Sequence, residues 1–120
     1  MDVKTVLVVD DSPTDLHLLS SMLTRNGYSV ITATSGEEAI DRATTEKPDL
    51  ILLDIVMPGM NGFETTRALT KNPETGSIPV LIVSTKGQET DKVWGLRQGA
   101  KDYLVKPVDE GTLIGKIRAL

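Results

Sequence analysis

Five short apolar runs recur along the chain, separated by longer stretches in which apolar residues return with a helical period. Most of the runs are apolar at every position instead of alternating with polar residues. A continuous apolar run indicates a strand covered on both faces, as in the middle of a parallel sheet. The predicted strands are residues 6–9, 28–32, 50–53, 80–83 and 103–105.

Capping residues mark the ends of the first intervening helix. Ser12 followed by Pro13 predicts an N-cap and a first helical residue, and Asn26-Gly27 ends the helix. One stripe of this helix is apolar, which predicts a face buried against the sheet. The stripe consists of Leu16, Leu19, Met22 and Leu23.

Similar signals delimit the later helices. Ser35 has capping-box spacing to Glu38, and the Lys47-Pro48 pair ends the second helix. Gly99 closes the fourth helix, and Asp109 is suited to cap the fifth.

Five strand–helix units in this order predict an α/β fold, a doubly wound parallel sheet with helices on both faces. Two strand orders are common in such sheets, and five strands favour the flavodoxin-like order 2-1-3-4-5. That order puts the topological switch point, where ligands usually bind, between the first and third strands. We expect residues 1–120 to form a single domain without internal repeats or linkers.

Composition narrows the function classes. The net charge of −4 and the scattered basic residues argue against a nucleic-acid surface. The absence of cysteine excludes disulfides, thiolate nucleophiles and cysteine-ligated metals. The apolar runs are too short to insert into a membrane, and the N-terminus lacks the cleavage site of a signal peptide. We therefore expect a cytoplasmic domain.

Carboxylates follow two of the predicted strands. Asp10 and Asp11 come after the first strand and Asp54 after the third, so the predicted order brings all three together. Alone, Asp10-Asp11 could be a solvated acidic loop. Three adjacent carboxylates repel one another unless a cation neutralises them, and Mg²⁺ accepts this oxygen donor set.

Two other strand ends contribute to the same crevice. Ser84 follows the fourth strand, and Lys106-Pro107 follows the fifth. Each residue by itself is weak evidence for a functional site, because serines often occupy turns and lysines are usually solvated. Together, a hydroxyl, an ammonium and a metal-bound carboxylate can neutralise a phosphoryl group in transit.

These motifs resemble the signature of the response-regulator receiver domain, the CheY-like family. The matching residues are Asp10-Asp11, Asp54, Met57-Pro58, Gly62, Ser84 and Lys106-Pro107. The resemblance covers essentially the whole chain. Two stretches, residues 54–69 and 83–110, are more similar still to PilH-type regulators, single-domain receivers of chemosensory systems that control type IV pili and twitching motility.

The resemblance implies a phosphorylation site and a metal site. Asp54 would take a phosphoryl group from a phosphohistidine on a CheA-like histidine kinase. Asp11, Asp54 and the backbone carbonyl of Val56 would bind Mg²⁺ directly, and Asp10 would act largely through water.

The resemblance also implies a switch. Ser84 would bind a phosphoryl oxygen, Lys106 would pair with the phosphoryl group, and the bond from Lys106 to Pro107 would be cis. Tyr103 would be the aromatic rotamer switch, in a face formed by the fourth helix, fifth strand and fifth helix. Thr85 departs from the family pattern, which usually has a small residue there, and we expect it to crowd the mouth of the site.

Two residues, Val56 and Lys86, lie beside the route of the hydrolytic water according to the resemblance. Neither side chain can accept a proton from that water. We therefore expect slow hydrolysis for a chemotaxis-type receiver.

Two aromatic side chains lie outside the motifs. His17, the only histidine, falls on the polar side of the first helix and is expected to be solvated. Trp94 lies beside a predicted Val93–Leu96 core stripe of the fourth helix. It either covers a neighbouring helix or anchors a partner protein.

The predicted function is a phosphoacceptor in a two-component phosphorelay that switches a protein-binding face. We expect no catalysis beyond self-catalysed phosphoryl acceptance and autodephosphorylation, an unidentified downstream protein partner, and a monomer or a phosphorylation-dependent dimer. Two alternatives remain: a phosphate sink for another receiver, and a receiver fragment of a larger regulator.

Three other classes fit less well. A haloacid-dehalogenase-type phosphatase needs a second acid at the position of Val56. The glycine-rich motifs of nucleotide-binding domains do not occur. An unphosphorylated pseudo-receiver is disfavoured because the acids, Ser84 and Lys106 are all present.

Overall fold

A computed structural model describes residues 2–120. In it the chain forms one five-stranded parallel sheet in the order β2-β1-β3-β4-β5, which confirms the predicted topology. The strands are β1 (Thr5–Val9), β2 (Ser29–Ala33), β3 (Leu50–Leu53), β4 (Val80–Ser84) and β5 (Asp102–Val105). The helices are α1 (Pro13–Arg25), α2 (Gly36–Glu46), α3 (Gly62–Lys71), α4 (Glu89–Arg97) and α5 (Glu110–Arg118). Each predicted strand agrees with the observed one to within about one residue at either end, the usual uncertainty of an element boundary.

Two apolar clusters lie on opposite faces of the sheet because successive side chains of a strand point in opposite directions. Leu50 and Leu52 face α1 and α5, whereas Ile51 and Leu53 face α2 and α3. All four residues of β3 are buried, as expected for a central strand with helices on both faces. None of the helices in residues 2–120 combines the length and the apolar character that crossing a membrane requires.

The predicted cap of α1 is present, and that of α2 is half formed. The hydroxyl of Ser12 accepts a hydrogen bond from the Asp15 amide at 3.3 Å. The Ser35 hydroxyl accepts one from the Glu38 amide at 3.1 Å. Glu38 does not complete the box at Ser35; its carboxylate instead accepts from the amide of Thr34 at 2.7 Å. That amide belongs to the residue that follows β2.

The apolar stripe of α1 is confirmed, with Leu19, Met22 and Leu23 buried and Leu16 packed against the same cluster. His17 is exposed, as predicted.

The predicted core stripe of α4 is wrong. Val93 and Leu96 are 43% and 48% exposed, and the helix instead buries Gly95. A methyl group on Gly95 would lie 2.7 Å from the Ile82 side chain and 3.1 Å from the ring of Tyr103. The backbone of α4 therefore lies close to the sheet, and its larger apolar residues flank that contact without entering it.

Candidate functional site

The carboxylates lie at the carboxyl ends of neighbouring strands. Val9 pairs with Leu53, so the residues that follow them, Asp10 and Asp54, are adjacent at the carboxyl-terminal end of the sheet. The Asp54 amide donates to the Val9 carbonyl at 3.0 Å and extends this pairing by one residue. Carboxylate oxygens of Asp10, Asp11 and Asp54 all lie within 4.8 Å of one another.

Two of these acids are buried and one is open to solvent. Asp10 is 1% exposed and Asp54 is 7% exposed, whereas Asp11 is exposed. One oxygen of each buried acid is held by the backbone: Asp10 Oδ1 accepts from the Ser12 amide at 3.0 Å, and Asp54 Oδ1 accepts from the Ile55 amide at 2.8 Å. The second oxygen of each acid faces Lys106.

Lys106 reaches the site from the end of β5. Its amide donates to the Ser84 carbonyl at 2.9 Å, and its bond to Pro107 is cis. The Lys106 ammonium lies 2.8 Å from Asp10 Oδ2 and 3.6 Å from Asp54 Oδ2. It is also 3.0 Å from Asp15 Oδ2, so three carboxylates surround one cation.

Burial and neighbouring charges alter the acidity of the site. Burial raises the pKa of Asp54, with a smaller contribution from the charge of Asp10, and these outweigh the attraction of Lys106. Burial lowers the pKa of Lys106, but hydrogen bonds to Asp10 and Asp15 outweigh it and raise that pKa above its usual value. Lys106 therefore stays charged. The attraction of Lys106 does not fully offset the cost of burying the negative charge of Asp54.

The three clustered acids fit a hard divalent cation. They offer carboxylate oxygens from two strand ends, and the exposed position of Asp11 leaves one side open to water or phosphate. Mg²⁺ prefers a few carboxylates with several water or phosphate ligands. A cation there would also supply the compensation that Asp54 lacks.

Ser84 and Tyr103 are joined through the loop after β4. Ser84 is fully buried, and its hydroxyl accepts from the Lys86 amide at 3.3 Å. Tyr103 is 7% exposed, and its hydroxyl donates to the Lys86 carbonyl at 2.5 Å. The backbone of Lys86 thus links the hydroxyl at the site to the aromatic ring under α4.

The other predicted residues lie at or beyond the mouth of the site. Thr85 and Lys86 are exposed, and Val56 is 51% exposed two residues after Asp54. Trp94 is 48% exposed on α4.

Asp15 was not among the predicted site residues. Its position in the first turn of α1 is typical of an acid that complements the helix dipole. The available signal was its distance from Ser12: a side chain at the third position of a helix that starts at the sheet edge can face the strand ends.

Comparisons with known proteins agree with this geometry. The family model for the response regulator receiver domain matches residues 6–118. Protein PilH of Pseudomonas aeruginosa is 58% identical over 96% of this chain and 95% of its own length. The chemotaxis protein CheY4 of Vibrio cholerae superposes with a TM-score of 0.91 at 34% identity, covering 98% of both chains.

A chain in the crystal structure of the CheX–CheY–BeF3–Mg²⁺ complex of Borrelia burgdorferi also has a TM-score of 0.91, at 30% identity over 97% of this chain and 87% of that one. This chain belongs to the response regulator receiver domain family.

Proposed function

We propose that Asp54 accepts a phosphoryl group in a Mg²⁺-dependent reaction and that the donor is a phosphohistidine of a CheA-like kinase. The observation that carries the proposal is the surroundings of the Asp54 carboxylate, with two further acids within 4.8 Å and the Lys106 ammonium at 3.6 Å. These groups match the needs of phosphoryl transfer, which depends chiefly on positioning and charge neutralisation.

The chain's own groups have distinct parts in this reaction. Asp54 Oδ2 attacks phosphorus, a new oxygen–phosphorus bond forms, and the donor's nitrogen–phosphorus bond breaks with its electron pair going to the imidazole. The Ile55 amide holds Asp54 Oδ1, which leaves Oδ2 as the attacking atom. Lys106 and the Ser84 hydroxyl would then bind phosphoryl oxygens.

Asp11, Asp54 and the backbone carbonyl of Val56 would hold the ion, with Asp10 acting through water. When bound, Mg²⁺ would neutralise charge on the acids and on the transferred group. Asp54 would be the sole phosphorylation site, and the acid cluster would be the sole metal site.

We further propose that phosphorylation switches a protein-binding face made of α4, β5 and α5. When Ser84 turns towards a phosphoryl oxygen, it gives up its bond to Lys86, whose carbonyl holds Tyr103. The face already exposes Val93, Trp94 and Leu96, which suits a protein partner. Residues 1–120 would act as one receiver domain, as a monomer or as a dimer that forms on phosphorylation.

The similarity to PilH supports a place in chemosensory control of type IV pili and motility. The exposed apolar face of α4 favours an output switch over a phosphate sink, because a sink needs no output surface. Binding of a protein only to the phosphorylated form would support the switch.

Incubation with a small acyl phosphate should add the mass of one phosphoryl group, and only in Mg²⁺. Without the ion, the clustered acids repel the anionic donor. Intact-mass spectrometry with Mg²⁺ and with excess chelator provides the measurement. Equal incorporation in chelator would contradict the metal assignment.

Phosphorylation should shift amide resonances in β4, α4, β5 and α5 far more than those in α2. The physical reason is the Ser84–Lys86–Tyr103 connection, which biases the packing under α4. Two-dimensional NMR before and after phosphorylation tests this. Shifts confined to α1 and α2 would rule out the proposed face.

The phosphorylated form should lose its phosphoryl group roughly tenfold faster in Val56→Asn or Lys86→Glu, the gain expected when a side chain can orient the attacking water. Both side chains are exposed beside the site, and neither wild-type group can accept a proton. The decay rate in Mg²⁺ measures the effect. Lys101→Glu is a matched exposed charge change outside the site and should leave the rate unchanged. No acceleration in either site variant would show that these positions do not limit hydrolysis.

A further inference from the structure

The resting position of Lys106 is not the one that phosphoryl binding requires. Its ammonium is hydrogen-bonded to Asp10 at 2.8 Å and to Asp15 at 3.0 Å, whereas Asp54 Oδ2 lies at 3.6 Å, outside hydrogen-bond distance. The cation that should neutralise the phosphoryl group is therefore bound to two acids that do not receive it.

The two acids differ in what a bound cation does to them. Asp10 belongs to the cluster with Asp11 and Asp54, so an ion there reduces its charge. Asp15 is outside that cluster and lies in the first turn of α1. Its side chain is 37% exposed, and it would not share in holding a cation bound by the cluster.

The start of α1 fixes Asp15 in this position. The Asp15 amide donates to the Ser12 hydroxyl, and the Ser12 amide donates to Asp10 Oδ1. Asp10 and Asp15, the two acceptors of the Lys106 ammonium, are thus both held by hydrogen bonds to Ser12. Asp15 also lines a cleft of about 210 Å³ beside Thr85 and Lys106, at the mouth of the site.

We propose that Asp15 is a positioning residue that retains the Lys106 ammonium away from Asp54 in the unphosphorylated protein and thereby slows phosphoryl acceptance. This inference rests on the proposed phosphorylation of Asp54. Formation of the Asp54 oxygen–phosphorus bond brings an anion that competes with Asp15 for Lys106. The Asp15 charge also repels the anionic donor as it approaches.

The alternative explanation is purely structural, with Asp15 serving the dipole of α1. A matched control separates the two, because Glu37 is an exposed acid in the first turn of α2. Glu37→Gln removes the same charge from the same kind of helix position without touching Lys106. Asp15→Asn keeps the shape of the side chain, and Asp15→Glu keeps its charge.

The first measurement needs no phosphorylation. In a crystal structure of unphosphorylated Asp15→Asn, we expect the Lys106 ammonium to lie within about 3.2 Å of Asp54 Oδ2. A distance unchanged from the wild-type protein would overturn the proposal.

The second measurement is the rate of phosphorylation by acetyl phosphate, a dianion, and by phosphoramidate, a monoanion, at saturating Mg²⁺. Asp15→Asn should react roughly threefold faster with acetyl phosphate, the gain expected from loss of one partly exposed ion pair. The gain should be smaller with phosphoramidate and should shrink in high salt. Asp15→Glu and Glu37→Gln should react like the wild-type protein.

Equal or slower rates in Asp15→Asn, or an equal gain in Glu37→Gln, would each refute the role of Asp15. The same gain with both donors would support release of Lys106, and not direct repulsion of the donor, as its cause. Failure of the wild-type protein to accept a phosphoryl group from either donor would instead refute the proposed function.

Discussion

Replacing Asp54 by Asn is expected to abolish phosphorylation and, in the absence of Mg²⁺, to stabilise the protein by about 1 kcal/mol, a typical gain where an active-site residue is held at a cost. The Asp54 carboxylate is 7% exposed, and burial followed by the charge of Asp10 raises its pKa. Asn removes the charge and keeps the shape, while Lys106 retains hydrogen bonds to Asp10 and Asp15.

The pH dependence has a definite sign. Because the pKa of Asp54 is higher in the folded than in the unfolded state, the folded protein is favoured while this group is protonated, below about pH 4. That contribution is lost as the pH rises through the folded-state pKa. The advantage of Asp54→Asn should therefore be largest near pH 7 and should shrink as the pH falls.

Denaturant unfolding with and without Mg²⁺ measures both effects. At a concentration of 100 times its dissociation constant, an ion that binds only the folded state adds about 2.7 kcal/mol. Mg²⁺ should raise the free energy of unfolding of the wild-type protein by an amount of this kind, and that of Asp54→Asn by a smaller amount.

The control is Asp41→Asn, which replaces an exposed acid on α2 and should behave as the wild-type protein does. A phosphoryl mass shift that persists in Asp54→Asn would contradict the assignment, and a loss of stability at pH 7 would contradict the account of burial.

The strands could be predicted because their signal is local. A continuous apolar run such as β3 fits only a position covered on both faces, and the observed burial of Leu50 and Leu53 follows from that pattern. Convergence of Asp10 and Asp54 then followed from the strand order. Register and strand order are sufficient to bring these two residues together, without any detail of side-chain packing.

The orientation of α4 could not be predicted in the same way, because its contact with the sheet is made by a residue without a side chain. Val93 and Leu96 form an apolar pair with helical spacing, which ordinarily indicates a core face. Burial of Gly95 against Ile82 and Tyr103 requires knowledge of the opposing surface. The same feature explains why Trp94 is exposed.

The partners of Lys106 show a similar limit. The sequence places Lys106 at a strand end beside the acids, but it does not indicate which carboxylates hold the ammonium. Asp15 is 91 residues away along the chain, and its contact depends on the angle at which α1 leaves the sheet edge. Local sequence patterns do not specify that angle.

Replacing Gly62 by Ala is expected to destabilise the protein by about 3 kcal/mol, the upper part of the usual range for overpacking, and to impair phosphorylation. Gly62 is the first residue of α3, and its amide donates to the Ile55 carbonyl at 2.9 Å. An added methyl group would lie 2.2 Å from the Asp54 carbonyl oxygen and 2.6 Å from the Ile55 α-carbon.

Both of those atoms belong to the backbone, so no side-chain rotation can relieve the overlap at Gly62. Relief requires movement of α3 or of the segment that carries Asp54. Because the Asp54 carboxylate is aligned by the Ile55 amide, movement of this segment also misplaces the attacking oxygen. Stability and phosphorylation should therefore decline together.

The matched control for Gly62→Ala is Gly115→Ala in α5, where, apart from the adjoining residues and the nearby backbone of the helix itself, no atom lies within 4 Å of the added methyl group. That change should stabilise the protein by about 0.5–1 kcal/mol, since alanine is the better helix former, and should leave phosphorylation unchanged. Guanidinium unfolding and the intact-mass assay distinguish the two variants. Wild-type stability in Gly62→Ala would show that the loop after β3 can yield, and that close packing of α3 does not fix the position of Asp54.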